Sequence, residues 1–214
     1  MNRVVLLGHP VAHSLSPRMQ NAAFAAAGLE DWTYVARNVA PEELEAAVSE
    51  VEFANVTAPY KRDVARLLGG ALDSVNTIVR GQGFSTDAAI LDLVTTCHKP
   101  VLVGDGGAAA AFRAALPEAP VFSRRGVWPP AVGDADLVIH ATPVRDEVLF
   151  ELGEGQTLID LPYPRTATAE AAAANGARVL DGLEVLVAQG AKSFELWTGI
   201  AAPVAAMRAA VGLT

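Results

Sequence analysis

The sequence predicts an α/β protein of two lobes, each built on a mostly parallel sheet, and three observations carry that prediction. Short apolar runs recur at Val4–Leu7, Phe53–Val56, Val101–Val103 and Leu137–Ile139, bounded by turn-forming residues, as strands buried on both faces are. Helical stretches, many of them alanine-rich, separate these runs, and strands alternating with helices pair in parallel through crossover connections. A glycine-rich turn, Gly104-Asp105-Gly106-Gly107, follows one of the runs and opens a second series of strands and helices.

Val4–Leu7 leads into the loop Gly8–Pro17. Ser16-Pro17 then starts a helix, the serine as cap and the proline at the first helical position, and Gly28 closes it. Thr33–Val35 begins a second strand, and Pro41-Glu42-Glu43 opens a second helix with acids in its first turn. Phe53–Val56 is the third strand. Pro59 ends it, because proline has no backbone donor and biases Ala58 toward extended backbone, and a short helix from Lys61 to near Leu68 follows. Ser74–Val79 reads as another strand, Gly81-Gln82-Gly83 as a tight turn, and Thr86–Ala89 as the start of a connecting helix toward Cys97-His98.

The second series begins with the strand Val101–Val103 and a helix from Ala108 to Leu116. Val121–Ser123 is a strand ending at Arg124-Arg125, and the runs Leu137–Ile139 and Thr157–Asp160 follow. Thr168–Asn175 is helical with Gly176 as its stop, and Leu183–Gln189, Phe194–Trp197 and Pro203–Val211 read as three further helices. The lobes join near Asp87 and near Gly182.

Composition narrows the function. Half of the 214 residues are apolar, enough for a core, and a net charge of −8 argues against nucleic acid or an anionic membrane as partner. Cys97 is the single cysteine, so neither an internal disulfide nor a thiolate metal cluster is expected. His9 and His13 stand four apart, but in a proline-containing loop, and no metal site is expected from them. Met1-Asn2-Arg3 and four apolar residues are too short for a signal core, and no apolar run approaches the ~20 residues of a membrane span. A cytoplasmic protein is expected, acting on a small molecule.

Lys61 leaves the carboxyl end of a buried strand, where open α/β sheets bind ligands; a solvated helix lysine is the plain alternative. Ser14 and Ser16 flank Leu15, so both hydroxyls could converge on a small carboxylate, although capping alone would explain Ser16. Asn76 lies among apolar and β-branched residues and needs partners for a buried amide. Gln189 in an apolar helix and Asp87 at a helix start have ordinary structural explanations. Gly104, Gly106 and Ala109 meet the spacing G-x-G-x-x-A between a strand and a helix, which seats a pyrophosphate on the helix amino terminus formed by Gly107 and Ala108. Asp105 would repel that pyrophosphate unless its side chain points away. About twenty residues on stand Ser123, Arg124 and Arg125 and no acid, the pattern that favours a 2′-phosphate and hence NADP.

In chain order these residues resemble the shikimate dehydrogenase family. His13-Ser14-Leu15-Ser16-Pro17 is similar to its substrate-carboxylate loop and Asn55-Val56-Thr57-Ala58-Pro59-Tyr60-Lys61 to its catalytic-lysine motif. Ser74–Thr77 and Ser85-Thr86-Asp87 resemble its asparagine and aspartate motifs, and Asp181–Gln189 with Phe194–Gly199 its closing signature. The resemblance implies a substrate lobe of residues 1–86 plus 187–214, to which the last helices return, and a shortened Rossmann-like NADP lobe of residues 87–186. It implies Lys61 and Asp87 as the catalytic dyad, and Ser14 and Ser16 on the substrate carboxylate. Thr57, Asn76 and Gln189 would hold its hydroxyls, Tyr163 would close the site, and Thr142 would join Gly104, Gly106, Gly107, Ala108, Ser123, Arg124 and Arg125 on the cofactor. The activity implied is reversible hydride transfer between NADPH and 3-dehydroshikimate, by a monomer or homodimer.

Several positions depart from the family pattern. Gly126-Val127-Trp128-Pro129-Pro130 replaces a helix and strand of the cofactor lobe, and only a short helix fits between Lys61 and Asn76. Ala88 stands for a glycine, His140 for the asparagine before Ala141-Thr142-Pro143, and Val185 for a methionine; the Gly-Met pair after Pro143 is missing. Two rival readings follow: a quinate/shikimate dehydrogenase, or a non-catalytic shikimate- or quinate-binding protein with a degraded cofactor lobe.

Overall fold

The computed structural model describes residues 1–213, in two compact units: Met1–Asp87 with the chain from Leu186 onward, and Ala88–Val185. The first unit holds a five-stranded sheet in the order β2-β1-β3-β4-β5, from β1 (Asn2–Gly8), β2 (Trp32–Asn38), β3 (Phe53–Val56), β4 (Thr77–Val79) and β5 (Gln82–Phe84). β1 pairs in parallel with β2 and β3, whereas β4 and β5 add antiparallel.

Burial on both faces explains the unbroken apolar runs. Val5, Leu7, Ala54 and Val56 join one core with Leu44 and Ala47 of α2 (Leu44–Ser49) and Val64 and Ala65 of α3 (Lys61–Leu68). Other buried rings include Phe24 of α1 (Ser16–Ala26), which packs on Trp32 and Phe194, and Tyr34, which packs on Trp197. Phe194 and Trp197 belong to α6 (Gly182–Thr198), and α7 (Val204–Val211) packs on α1.

The structure corrects several expected elements. The strand expected over Ser74–Val79 starts only at Thr77, so Asn76 lies at its entrance. Where a tight turn was expected at Gly81–Gly83, Arg80 (φ 49°) and Gly81 (φ 77°) form a two-residue hairpin turn, and Gln82 and Gly83 already belong to β5. Ser16 is the first residue of α1 rather than its cap; Ser14 Oγ accepts from the Ser16 amide at 3.2 Å. The connecting helix is a 3₁₀ segment that ends at Leu93. The two helices expected at Leu183–Gln189 and Phe194–Trp197 are one. Gly190 does not break α6 but lets α1 come close: a Cβ there would meet Met19 Cε at 2.3 Å, and Gln20 Nε2 donates to its carbonyl at 2.9 Å.

The second unit holds an all-parallel sheet in the order β10-β9-β8-β6-β7, from β6 (Pro100–Val103), β7 (Val121–Phe122), β8 (Leu137–His140), β9 (Thr157–Asp160) and β10 (Arg178–Leu180). Helices α4 (Gly107–Ala115) and α5 (Ala167–Ala174) complete it. This is the Rossmann strand order without its third strand, since residues 123–136 between β7 and β8 form neither strand nor helix. β10, too short to show in the apolar pattern, is an addition to the expected elements.

Candidate active site

In the first unit the topology brings the dyad together. The loops after β1 and β3 leave adjacent parallel strands at the point where the strand order reverses, the crevice where open sheets take ligands. They touch: the His9 amide donates to the Ala58 carbonyl at 3.1 Å, and a Cβ on Gly8 would meet Thr57 Cγ2 at 2.4 Å. Because β4 runs antiparallel to β3, its entrance lies at that same edge, and so does the exit of β5. The hairpin therefore delivers Asn76 and Asp87 to the strand end that carries Lys61.

Lys61 Nζ lies 2.7 Å from both carboxylate oxygens of Asp87, with both side chains largely buried. Asn76 Nδ2 donates to Asp87 Oδ1 at 3.0 Å, to Thr86 Oγ1 at 2.9 Å and to Gln189 Oε1 at 3.3 Å. Asn76 Oδ1 accepts from the Thr86 amide at 2.8 Å, and Gln189 Nε2 donates to the Leu186 carbonyl at 2.9 Å. The amide of Asn76 is thus held in place as a wedge between dyad and α6. Of the expected site residues, Lys61, Asp87, Asn76 and Gln189 form one hydrogen-bonded group. Thr57 sits half-buried at the β3 exit, and Ser14 and Ser16 stand at the start of α1. Tyr163 belongs to the second unit, where its carbonyl accepts from Arg145.

A layer beneath this group went unnoticed in the sequence. Ser193, fully buried on α6, shares hydrogen bonds with Thr77 (2.8 Å), Thr86 (3.2 Å) and Asn55 (3.2 Å), and Tyr34 donates to Asn55 Oδ1 at 2.8 Å. A serine four residues after Gln189 in an apolar helix was the available signal. Tyr60, just before Lys61, donates to the Val39 carbonyl at 2.7 Å; burial, and then Glu42, Asp63 and Glu43, push its phenol above the ordinary value.

In the second unit the glycine-rich turn lies between the exits of β6 and β8. Gly104 has φ +123°, and a Cβ there would come within 2.6 Å of the Ala141 carbonyl oxygen. Around Gly106, the residue that caps α4, there is open space, and the first turn of α4 carries no acid. That arrangement suits a phosphate at a helix amino terminus. Arg124 is committed in part: it pairs with Glu147 at 2.9 Å and lies over the Trp128 ring at 5.5 Å. Arg125 is exposed. Thr142, half-buried, is held through its hydroxyl by the fully buried His140, whose Nε2 is 2.6 Å away, while His140 Nδ1 lies 2.7 Å from Asp160. Among the described residues no group of three or more His, Cys, Asp or Glu could hold a metal ion, and no helix is long and apolar enough to cross a membrane.

A chain that combines a Rossmann-type unit with an α/β unit carrying a lysine–carboxylate pair in its crevice has the construction of a two-lobed α/β oxidoreductase. Residues 6–78 match the family described as shikimate dehydrogenase substrate binding domain, and residues 182–211 that described as shikimate 5'-dehydrogenase C-terminal domain. A shikimate dehydrogenase (NADP(+)) of Methanopyrus kandleri is 37% identical, with 98% of this chain and 94% of that protein covered. One from an Anaeromyxobacter species is 36% identical, covering 96% and 94%; that alignment spans 263 positions, more than this chain's 214 residues, so the relative carries segments absent here. Among solved structures, shikimate 5-dehydrogenase from Thermus thermophilus in complex with NADP(H) and shikimate is 30% identical, with TM-score 0.83 and 98% of each chain covered. The chain belongs to the shikimate dehydrogenase family.

Proposed function

We propose that this chain is an NADP-dependent shikimate dehydrogenase that interconverts 3-dehydroshikimate and shikimate in the cytoplasm, as a monomer or homodimer. The observation that carries the reading is the buried Lys61–Asp87 pair, 2.7 Å at both oxygens and wedged by Asn76. Residues 1–86 with 187–214 form the substrate lobe in this reading and residues 87–186 the cofactor lobe. NADP, when bound, supplies or accepts the hydride. The protein must place the reacting carbon and manage the hydroxyl proton.

Lys61 is the group for that proton. Its ammonium has more N–H donors than the two oxygens of Asp87 engage, so one remains for a substrate oxygen. It gives the proton to the ketone oxygen during reduction and takes it back from the alcohol during oxidation. Asp87 orients the ammonium, and Asn76 holds Asp87. Ser14 and Ser16 take the substrate carboxylate, Thr57, Asn76 and Gln189 its hydroxyls, and Tyr163 closes over it. Gly104, Gly106, Gly107 and Ala108 seat the cofactor phosphates, Ser123, Arg124 and Arg125 the 2′-phosphate, and Thr142 stands beside the turn.

The missing third strand and the Arg124–Glu147 pair favour a second reading, a shikimate- or quinate-binding protein without turnover. Calorimetric titration with NADP, with and without shikimate, followed by absorbance of NADPH, separates the two. Binding of both with NADPH appearing is the expected result. Shikimate binding without NADP or NAD binding would overturn the enzyme reading. The same assay with quinate decides between the two acids.

A further inference from the structure

We propose that Gln20 is a positioning residue that sets the span of the substrate site: its buried amide locks α1, whose entry carries Ser14 and Ser16, to α6, which carries Gln189. The inference rests on the proposed reading that those serines take the substrate carboxylate and Gln189 a hydroxyl.

Gln20 is fully buried, and its Nε2 donates to the Gly190 carbonyl at 2.9 Å. The buried side of α1 is formed by Ser16, Met19, Gln20, Ala23 and Phe24, a stripe at helical spacing that holds both Ser16 and the amide. One turn beyond Gln20, Phe24 packs on Phe194 at 5.5 Å, and Phe194 stands four residues after Gly190. Equal steps in the same direction mean that α1 and α6 run side by side in parallel, turn against turn. Ser16 lies one turn before Gln20 and Gln189 one residue before Gly190, so both stand on the amino-terminal side of this contact. Their separation is set by where the amide holds the two helices.

Each helix is anchored on its other side. Next to Gln20, Asn21 donates from Nδ2 to the Tyr34 carbonyl at 2.9 Å and accepts from the Tyr34 amide at 2.8 Å, which ties α1 to β2. Next to Gly190, the Gln189 carbonyl accepts from Thr86 Oγ1 at 3.0 Å, and Gln189 Oε1 accepts from Asn76 at 3.3 Å. Gln20 thereby joins the helix fixed to the sheet edge to the helix that braces the dyad.

Stability does not explain an amide here. Gln20 Oε1 is buried and meets no donor among the described residues, which carries the penalty of an unsatisfied acceptor. A methionine fills similar space without that penalty, and the Gly190 carbonyl keeps the bond of its own helix. What methionine lacks is direction. A buried hydrogen bond fixes the register of two elements, whereas apolar contacts let them slide. The helices approach closely at this point: a Cβ on Gly190 would meet Met19 Cε at 2.3 Å and Gln20 Nε2 at 3.1 Å.

The experiment compares Gln20→Met with the parent full chain, using two ligands and a urea melt. Shikimate reaches both ends of the site; cyclohex-1-ene-1-carboxylate has the carboxylate and no hydroxyl, and reaches only the serines. In Gln20→Met, shikimate affinity by calorimetry should fall roughly ten- to a hundredfold, the effect of misplacing one end by about an ångström. Affinity for the one-ended acid, by NMR titration, should be unchanged, and the urea midpoint should hold or rise. Gln20→Leu serves if Gln20→Met does not fold. Shikimate affinity equal to the parent's in the folded variant overturns the inference and leaves the dehydrogenase reading intact. An equal loss for both ligands overturns it too, because it shows displaced serines rather than a changed span. Absence of shikimate binding to the parent chain overturns the site reading itself and the span with it.

Discussion

Lys61 is fixed at both ends of its side chain. Its Cα opens α3 directly after the β3 exit, and its ammonium meets both oxygens of Asp87. Lys61→Ala removes the proton donor and leaves Asp87 with the Asn76 amide. Turnover should fall by the ~10²–10⁴ typical of a general acid–base group, while shikimate affinity by calorimetry stays within a few-fold. A large loss of affinity with kcat preserved would contradict the assigned role. Lys61 was legible in the sequence from its place at a strand exit, and Asn76 and Asp87 through the family motifs that they resemble. The bonding of Ser193 and of the His140–Asp160 pair was not, because their partners lie far off in the chain; the one trace of Ser193 was its spacing from Gln189 in an apolar helix.

Turns between elements explain what the sequence hid and where the elements are vulnerable. The β4–β5 hairpin escaped notice because Arg80, not glycine or asparagine, takes the first left-handed position of its turn. Gly104 is the opposite case, a glycine that the geometry demands. Gly104→Ala would place a Cβ against the Ala141 carbonyl at φ +123°, and backbone cannot yield as a side chain would. A loss of about 1–3 kcal/mol is expected, seen as a lowered urea midpoint for the second unit together with loss of NADP binding.

Asp136 ties the chain entering β6 to the entrance of β8, accepting from the His98 and Lys99 amides at 2.7 and 2.9 Å. Burial opposes its ionisation, but those two amides, together with the charge of the His98 side chain and the amide of Asp136 itself, outweigh it and hold the carboxyl below its ordinary value of 3.8. The unfolded chain therefore takes up the proton first. The contribution of Asp136 to stability is complete above that ordinary value and is lost as pH falls through the lower folded one. Asp136→Asn should destabilise by about 1 kcal/mol at neutral pH, and the difference from the parent protein should shrink below about pH 4 in urea melts. A difference independent of pH would show that the charge is not what holds the two amides.

At the scale of the whole molecule, the two units differ in how the chain builds them. The second is continuous, Ala88–Val185, and its loss of one strand leaves a closed set of five with its own core. The first closes only when the chain comes back from Leu186 onward. That return supplies Ser193 to the polar layer under the dyad, Phe194 and Trp197 to the ring cluster, and Met207 of α7, all buried. Each large apolar side chain is worth about 1.5–3 kcal/mol when fully buried, so losing three approaches the entire 5–15 kcal/mol stability of a typical domain. A chain ending at Val185 should therefore keep slow amide exchange in β6, β8 and β9 while β1 and β3 exchange freely. It should also lose shikimate binding, although every residue from Ser14 to Asp87 is still present. Protection of β1 and β3 in that truncated chain would mean that β-sheet pairing and the α2–α3 core suffice for the first unit, and that the returning helices serve only to hold Asn76 and Thr86 in place.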